Sequence, residues 1–268
     1  MRKLSIALVV ALVLVLATAG IAGAITNGVQ DGDNHPYVGL LVFEDAEGPV
    51  WRCSGSLLSP TLVLTAGHCT ELNGPARIWM DEVVQGNPEY PFGGSTSYEG
   101  TAFTYTEYCG SPCGKGLPGF AAWDIGVVVL SEPVPTSVVD EYAQLPTPNL
   151  VSGLKNKTPI DFVGYGVQEQ LHGGGPPVWT GLRDRMYAPS ELVSGKFKHS
   201  DLFMKLALNP GGGSGGTCFG DSGGPDLLGG TDTVLAVNSY VTNSNCSGVG
   251  YSQRVDITEV ISWVLGPH

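Results

Sequence analysis

The stretch that most constrains this chain runs from Thr217 to Pro225 and reads Thr-Cys-Phe-Gly-Asp-Ser-Gly-Gly-Pro. Glycines lie on both sides of Ser222, and a residue without a side chain leaves the backbone open to an approaching group. This arrangement is typical of a serine nucleophile. A serine hydroxyl attacks a carbonyl only when a base accepts its proton and N–H groups stabilise the resulting oxyanion. The stretch therefore predicts a histidine and an orienting carboxylate elsewhere in the chain.

Two upstream motifs supply these groups. His68 lies in Leu-Thr-Ala-Gly-His-Cys, and Asp124 opens the apolar run Asp-Ile-Gly-Val-Val-Val-Leu. A histidine beside the hydroxyl acts as the base, and a carboxylate behind it fixes the imidazole tautomer and stabilises the imidazolium. The candidate catalytic residues therefore follow the chain order His68, Asp124, Ser222.

With Cys-Ser-Gly-Ser-Leu-Leu at 53–58, these motifs resemble those of the trypsin/chymotrypsin-like serine proteases. The resemblance runs from about Ile25 to the C-terminal segment. It implies a serine endopeptidase that cleaves peptide bonds through an acyl-enzyme. It also implies an oxyanion hole built from the backbone N–H groups of Gly220 and Ser222, and neither a metal nor an organic cofactor.

Other functions are compatible with parts of this pattern. The run Gly220–Gly224 also satisfies the G-x-S-x-G elbow of α/β-hydrolases, but in that fold the histidine follows the serine. His268, the last residue, is the only histidine after Ser222. A secreted esterase and a non-catalytic binding protein on the same fold remain the alternatives, and peptide-bond turnover would separate a protease from both.

Residues 1–24 have the pattern of a secretory signal. Arg2 and Lys3 precede an apolar run over 4–16, and two A-x-A sites follow at 17–19 and 22–24. The alternative is an uncleaved membrane anchor, because the apolar stretch approaches spanning length. We expect cleavage, secretion to an extracellular or periplasmic compartment, and no stable membrane association afterwards.

The charge of the chain limits its partners. The 268 residues carry 13 basic and 25 acidic side chains, a net charge of −12. Loss of Arg2 and Lys3 would leave 11 basic residues against 25 acidic ones, or −14. Nucleic acid and anionic membranes are poor partners for such a chain. We expect a monomer acting on polypeptide substrates.

Short strand-like segments separated by turn residues predict an all-β fold. With the resemblance, they predict two six-stranded antiparallel β-barrels packed side by side, followed by a C-terminal helix. Prolines at 133, 135, 146 and 148 indicate a connector between the barrels. The predicted segments are a signal peptide at 1–24, a first barrel at 25–135, a connector at 136–156, a second barrel at 157–255 and a helix at 256–268.

Six cysteines in an exported chain predict disulfides, and their spacing alone allows fifteen pairings. The resemblance pairs Cys53 with Cys69 and Cys218 with Cys246, which leaves Cys109 and Cys113. A metal site is the alternative, but these cysteines lie beside no pair of histidines at ligand spacing.

The resemblance also predicts a specificity pocket. At its floor, trypsin-like members carry an aspartate where this chain has Gly216, and wide pockets carry a glycine where it has Val241. Neighbouring positions predicted to bind substrate are Thr217, Phe219, Ser239 and Tyr240. An uncharged, narrowed pocket predicts cleavage after small or medium apolar residues.

The same family implies an activation switch. Members become active when a new apolar N-terminus inserts its ammonium group beside the aspartate before the nucleophile, which is Asp221 here. Ile25 begins a segment, Ile-Thr-Asn-Gly, that resembles the mature start and directly follows the second A-x-A site. Cleavage after Ala19 and a solvated N-terminus at Ile25 are the alternatives.

Overall fold

The structure is a computed structural model that describes residues 25–113, 121–171, 178–193, 199–209 and 215–268. The predicted signal segment, 1–24, lies outside the described residues.

The described residues form fifteen strands, which are β1 (Val29–Gln30), β2 (Val38–Asp45), β3 (Gly48–Ser59), β4 (Leu62–Thr65), β5 (Pro75–Trp79), β6 (Ser97–Thr104), β7 (Gly126–Leu130), β8 (Pro159–Gly164), β9 (Glu169–Leu171), β10 (Val178–Thr180), β11 (Met186–Glu191), β12 (Phe203–Ala207), β13 (Pro225–Leu228), β14 (Val234–Val241) and β15 (Val249–Arg254). Helical segments are Gly67–Thr70, the 3-10 turn Leu150–Gly153 and the C-terminal helix Thr258–Val264. The prediction of a mostly β protein with a C-terminal helix is confirmed.

The first barrel is closed, in the antiparallel order β2-β3-β4-β7-β6-β5. Strand β7 is almost wholly buried, as expected from its continuous apolar run. It pairs with β4 so that Thr65 lies opposite Gly126. The chain leaves β4 just before His68 and enters β7 just after Asp124, so this pairing brings the two residues to the same end of the barrel.

The second half is a seven-stranded sheet in the order β1-β11-β8-β13-β14-β15-β12. Its last strand curls back towards β11 through a bridge between Leu192 and Leu206 and a hydrogen bond from the Val193 N–H to the Lys205 carbonyl at 3.1 Å. This sheet is a half-barrel that curves around an apolar interior, which includes Phe162 and Ala236.

Strand β1 extends this second sheet, although it comes from the segment assigned by sequence to the first barrel. It pairs with β11, and the neighbouring Asp31 N–H donates to the Arg185 carbonyl at 3.0 Å. Thr26 pairs with Gly216 in both directions, at 2.9 and 3.1 Å. The N-terminal segment therefore lies on the second half, close to the start of the loop 217–225 that contains Ser222, which we call the nucleophile loop after its predicted role.

The two halves meet at Ser54 of β3, which is fully buried. Its N–H donates to the Ser222 carbonyl at 2.8 Å, and its hydroxyl donates to the Gly220 carbonyl at 3.0 Å. The same hydroxyl accepts the Tyr165 N–H at 2.9 Å. Ser54 of the first barrel therefore contacts two segments of the second half, which are the nucleophile loop and the segment at Tyr165.

Candidate active site

His68 and Asp124 form a close pair in which the carboxylate is buried and the imidazole is partly exposed. The Asp124 carboxylate is about 1% exposed and accepts hydrogen bonds from the His68 N–H at 2.7 Å and from His68 Nδ1 at 2.8 Å. The Ser239 hydroxyl also donates to this carboxylate. With Nδ1 held by Asp124, His68 Nε2 is left as the ring nitrogen that can accept a proton.

The surroundings shift both groups towards their charged forms. Burial acts to lower the pKa of His68, but the charge and hydrogen bond of Asp124 oppose it and the net pKa is raised. Burial acts to raise the pKa of Asp124, but its contacts with His68 and Ser239 outweigh this and lower it. A carboxylate that stays ionised beside the imidazole is the group that stabilises an imidazolium.

Ser222 and His68 line one cleft. This cleft, which we call the leaving-group pocket, has a volume of about 410 Å³ and is lined by Trp51, Arg52, Cys53, His68, Glu71 and Ser222. Among the hydrogen bonds of the described residues, none joins the Ser222 hydroxyl to His68. Such bonds are often long without substrate and tighten in the substrate complex.

The nucleophile loop presents two backbone N–H groups. Within the described parts of the chain, neither the Gly220 nor the Ser222 N–H donates a hydrogen bond. The Phe219 carbonyl accepts the Val167 N–H at 2.8 Å. Because a trans peptide directs its C=O and N–H to opposite sides, this bond turns the Gly220 N–H away from Val167. Gly220 has a φ of 95°, a backbone conformation that favours glycine.

A second cavity lies on the other side of Ser222. This cavity, which we call the specificity pocket after its predicted role, has a volume of about 190 Å³ and is lined by Thr217, Cys218, Phe219, Ser222, Asn238, Ser239, Tyr240 and Val241. None of these lining side chains carries a charge. Five of the six residues predicted to bind substrate are among them.

Gly216, predicted as the pocket floor, lies behind this lining. It is buried and paired with Thr26, and a Cβ at this position would lie 2.9 Å from the Leu208 Cα. Asn238 lines the pocket but was missed by the sequence interpretation. Its place in an apolar strand next to Ser239 gave no local signal, because lining depends on how strands β13, β14 and β15 curl.

The three disulfides join Cys53 to Cys69, Cys109 to Cys113 and Cys218 to Cys246. These pairings agree with the prediction. Within the described chain, one set of residues has potential metal-ligand atoms close to one another: Cys53, His68 and Cys69. Both of its sulfur atoms are in the disulfide, so it offers no thiolates to a metal.

Comparison with known proteins places the chain in a family. The sequence profile of the Trypsin family matches residues 26–264. The chain belongs to the trypsin family. Similar proteins include human chymotrypsin-like elastase family member 3B, 26% identical over 224 residues that cover 79% of this chain and 76% of the relative. Trypsin of Sarcophaga bullata is 26% identical over 245 residues, 90% of this chain and 88% of the relative.

Solved structures share the trypsin-family fold. HL collagenase superposes with a TM-score of 0.67 at 18% identity, covering 91% of this chain and 100% of that protein. Human heparin binding protein gives a TM-score of 0.62 at 18% identity with the same coverage. At these identities the likeness concerns the fold.

None of the helices in the described residues has the length and apolar character required to cross a bilayer.

Asp221 is fully buried next to Ser222. Its carboxylate accepts the Cys218 and Gly166 N–H groups, both at 2.8 Å, and no cation of the described residues forms an ion pair with it. Burial raises its pKa to about 7, against the lowering effect of the two N–H donors and the more distant Arg52 charge. The carboxyl therefore titrates near neutrality in this form of the chain.

This raised pKa predicts how the stability of the 268-residue chain depends on pH. The unfolded chain ionises Asp221 near pH 4, whereas the folded chain ionises it near pH 7. Between these two pH values the folded state binds more protons than the unfolded state. The contribution of Asp221 to the free energy of unfolding is therefore fully present below about pH 4 and is lost as the pH rises to about 7.

We expect Asp221→Asn in the full-length chain to flatten this fall, as measured by thermal unfolding midpoints from pH 4 to 8 in a Ser222→Ala background. The asparagine loses one acceptor for the two N–H donors, which adds an offset that does not depend on pH. Parallel midpoint curves for the two proteins would contradict the assignment.

Proposed function

We propose that this trypsin-family protein is a secreted serine endopeptidase. The observation that carries the proposal is the hydrogen-bonded His68–Asp124 pair, whose His68 lines the same cleft as Ser222. As a general base, His68 must take a proton from a nearby hydroxyl. Ser222 carries the hydroxyl that lines the same cleft. The predicted signal segment and the three disulfides support export to an oxidising compartment.

In the proposed reaction, Ser222 Oγ attacks the scissile carbonyl while His68 Nε2 takes the hydroxyl proton. The Asp124 carboxylate stabilises the imidazolium that forms. The N–H groups of Gly220 and Ser222 stabilise the oxyanion, and His68 then gives the proton to the leaving amine. Water repeats the sequence on the acyl-enzyme and releases the second product.

Replacing the nucleophile tests this function. We expect Ser222→Ala to reduce peptide-bond turnover on the order of 10⁶-fold, because the triad acts as a unit. A serine-directed phosphonylating reagent should label Ser222 in the active protein and should not label the variant. The measurement is kcat/KM on a peptide library, with Ser56→Ala, a buried serine of the same strand as Ser54, as the matched control.

The outcomes separate the alternatives. Full peptidase activity in Ser222→Ala would overturn the assignment of the nucleophile. Ester hydrolysis without peptide hydrolysis would favour the esterase, and binding without turnover of either would favour the non-catalytic protein.

We propose further that cleavage follows small or medium apolar residues such as Ala, Val or Leu. The uncharged lining of the specificity pocket supports an apolar side chain, and its volume of about 190 Å³ supports one of modest size. Val241 contributes a branched side chain to the wall of this pocket.

Trimming this wall should change the specificity. We expect Val241→Gly to favour Phe over Ala at the cleaved residue, with the ratio of the two kcat/KM values rising by about tenfold or more. A change of this size is what one or two methyl groups cause in an apolar pocket. The measurement is a panel of peptides that differ only in that residue. A wild-type preference for Arg or Lys of tenfold or more would refute the proposed pocket.

We also propose that cleavage between Ala24 and Ile25 activates the enzyme, by creating an ammonium group that pairs with Asp221. The buried side chain of Ile25 and the pairing of Thr26 with Gly216 support a docked N-terminus. In the uncleaved chain Ile25 has a φ of 59°, which is unfavourable for a β-branched residue. An N-terminal residue has no preceding carbonyl, so cleavage there would relieve this strain.

Blocking the new amine tests the switch. We expect the mature chain with one extra alanine before Ile25 to lose most of its kcat/KM, and Asp221→Asn to cause a matching loss. Pairing should raise the pKa of the amine above its free value of about 8, so activity should be held below the raised pKa and fall as pH climbs through it. Unchanged activity in the extended protein would show that no buried amine is required.

A further inference from the structure

The leaving-group pocket contains a cation whose charge is not neutralised by an ion pair. The described arginines are Arg52, Arg77, Arg183, Arg185 and Arg254. Arg77, Arg185 and Arg254 form ion pairs, and Arg183 lies over the Tyr90 ring at 4.6 Å. Arg52 forms no ion pair with any described residue, although the chain carries a large excess of acidic residues.

The Arg52 side chain lies over the nucleophile loop. The position that a Cβ on Gly220 would occupy is 3.5 Å from Arg52 Nε, and the corresponding position on Gly181 is 3.5 Å from Arg52 Nη2. The guanidinium therefore rests on backbone of the second half, beside one of the two proposed oxyanion donors. Arg52 is half-buried, which limits the screening of its charge by solvent.

The pocket also has a defined position relative to the scissile bond. The specificity pocket shares Ser239 and Tyr240 with a third cavity of about 330 Å³. That third cavity also borders the leaving-group pocket at His68 and Glu71, whereas the leaving-group pocket and the specificity pocket share only Ser222. The acyl half of a substrate would occupy the specificity pocket and the third cavity. The leaving-group pocket then receives the residues that follow the scissile bond.

Extended geometry selects one of these residues. In an extended peptide, side chains alternate between two faces, so the second residue after the scissile bond (P2′) points to the same side as the residue before it (P1). P1 would point into the second half, between Thr217 and Val241. The Arg52 guanidinium lies on that same half, over Gly220 and Gly181.

From this geometry, and resting on the proposed endopeptidase function, we infer that Arg52 forms a subsite for an acidic side chain, Asp or Glu, at P2′. A guanidinium binds a carboxylate through two parallel N–H bonds, which a lysine at the same position would not reproduce. Glu71, which also lines the pocket, accepts the Tyr108 hydroxyl. Its negative charge would disfavour an acidic residue placed on its own side of the pocket.

The test uses pairs of peptides with the same composition. Each pair has an identical acyl half and carries Glu at P2′ with Lys at P5′, or Lys at P2′ with Glu at P5′. Because the net charge of the two peptides is equal, the overall negative field of the protein acts equally on both. We expect kcat/KM about five- to tenfold higher for Glu at P2′, and a smaller ratio in 1 M salt.

Variants assign this preference to Arg52. Arg52→Gln should abolish the ratio, and Arg52→Lys should retain part of it because the charge remains without the planar fork. Lys155→Gln, which removes an exposed positive charge elsewhere, should leave the ratio unchanged. Equal rates for the two peptides in the wild-type protein would overturn the inference, as would an unchanged ratio in a folded Arg52→Gln protein.

A binding measurement keeps this inference separate from the catalytic proposal. The same peptides are titrated against Ser222→Ala, and Kd is read by fluorescence anisotropy. Tighter binding of the Glu-P2′ peptide, lost in Ser222→Ala/Arg52→Gln, supports the subsite even if the wild-type protein cleaves neither peptide. Equal affinities would overturn the subsite even if both peptides are cleaved.

Discussion

The proposed site depends on the contact between strand β3 and the nucleophile loop, because two separately curled sheets are fixed to each other there. Ser54 satisfies backbone groups of Ser222, Gly220 and Tyr165 with a single buried residue. Gly223 lies so close to the first barrel that a Cβ would be 2.0 Å from Thr65 Oγ1. The backbone N–H and the buried hydroxyl of Ser54, together with this close approach of Gly223, thus set where Ser222 lies relative to His68.

Three buried carboxyls near this contact show how hydrogen bonds and neighbouring charges decide whether a buried carboxyl is ionised. Asp124 is bonded by His68 and Ser239, and its pKa is lowered. Asp221 receives two backbone N–H groups, and burial raises its pKa to about 7. Burial raises the pKa of Asp226 well above the ordinary value, against the lowering effect of the neighbouring Ser252 hydroxyl and with a further rise from the charge of Asp221. Burial is common to all three, so their hydrogen bonds and charged neighbours decide which one stays ionised.

The sequence predicted those features that depend on local chemistry. Glycines around Ser222 and the order of His68, Asp124 and Ser222 are visible in the chain, and so is the apolar run of β7. The pairing of β1 with the second sheet was not predicted, because a two-residue strand has too little pattern to show its partner. Asn238 and Arg52 were missed for a related reason, since a cavity wall is set by strand register and curl, which a single sequence does not encode locally.

The two sides of Ser222 differ in electrostatics, and the difference has a length scale. Outside the cleft, the net charge of −12 acts over a screening length of about 8 Å at physiological salt and slows the approach of acidic peptides. Inside it, Arg52 would meet a carboxylate at contact distance, where screening is weak. The field of the whole chain would therefore govern the rate of encounter, whereas the Arg52 guanidinium, which forms no ion pair with a described residue, would govern which register of a bound peptide is held longest.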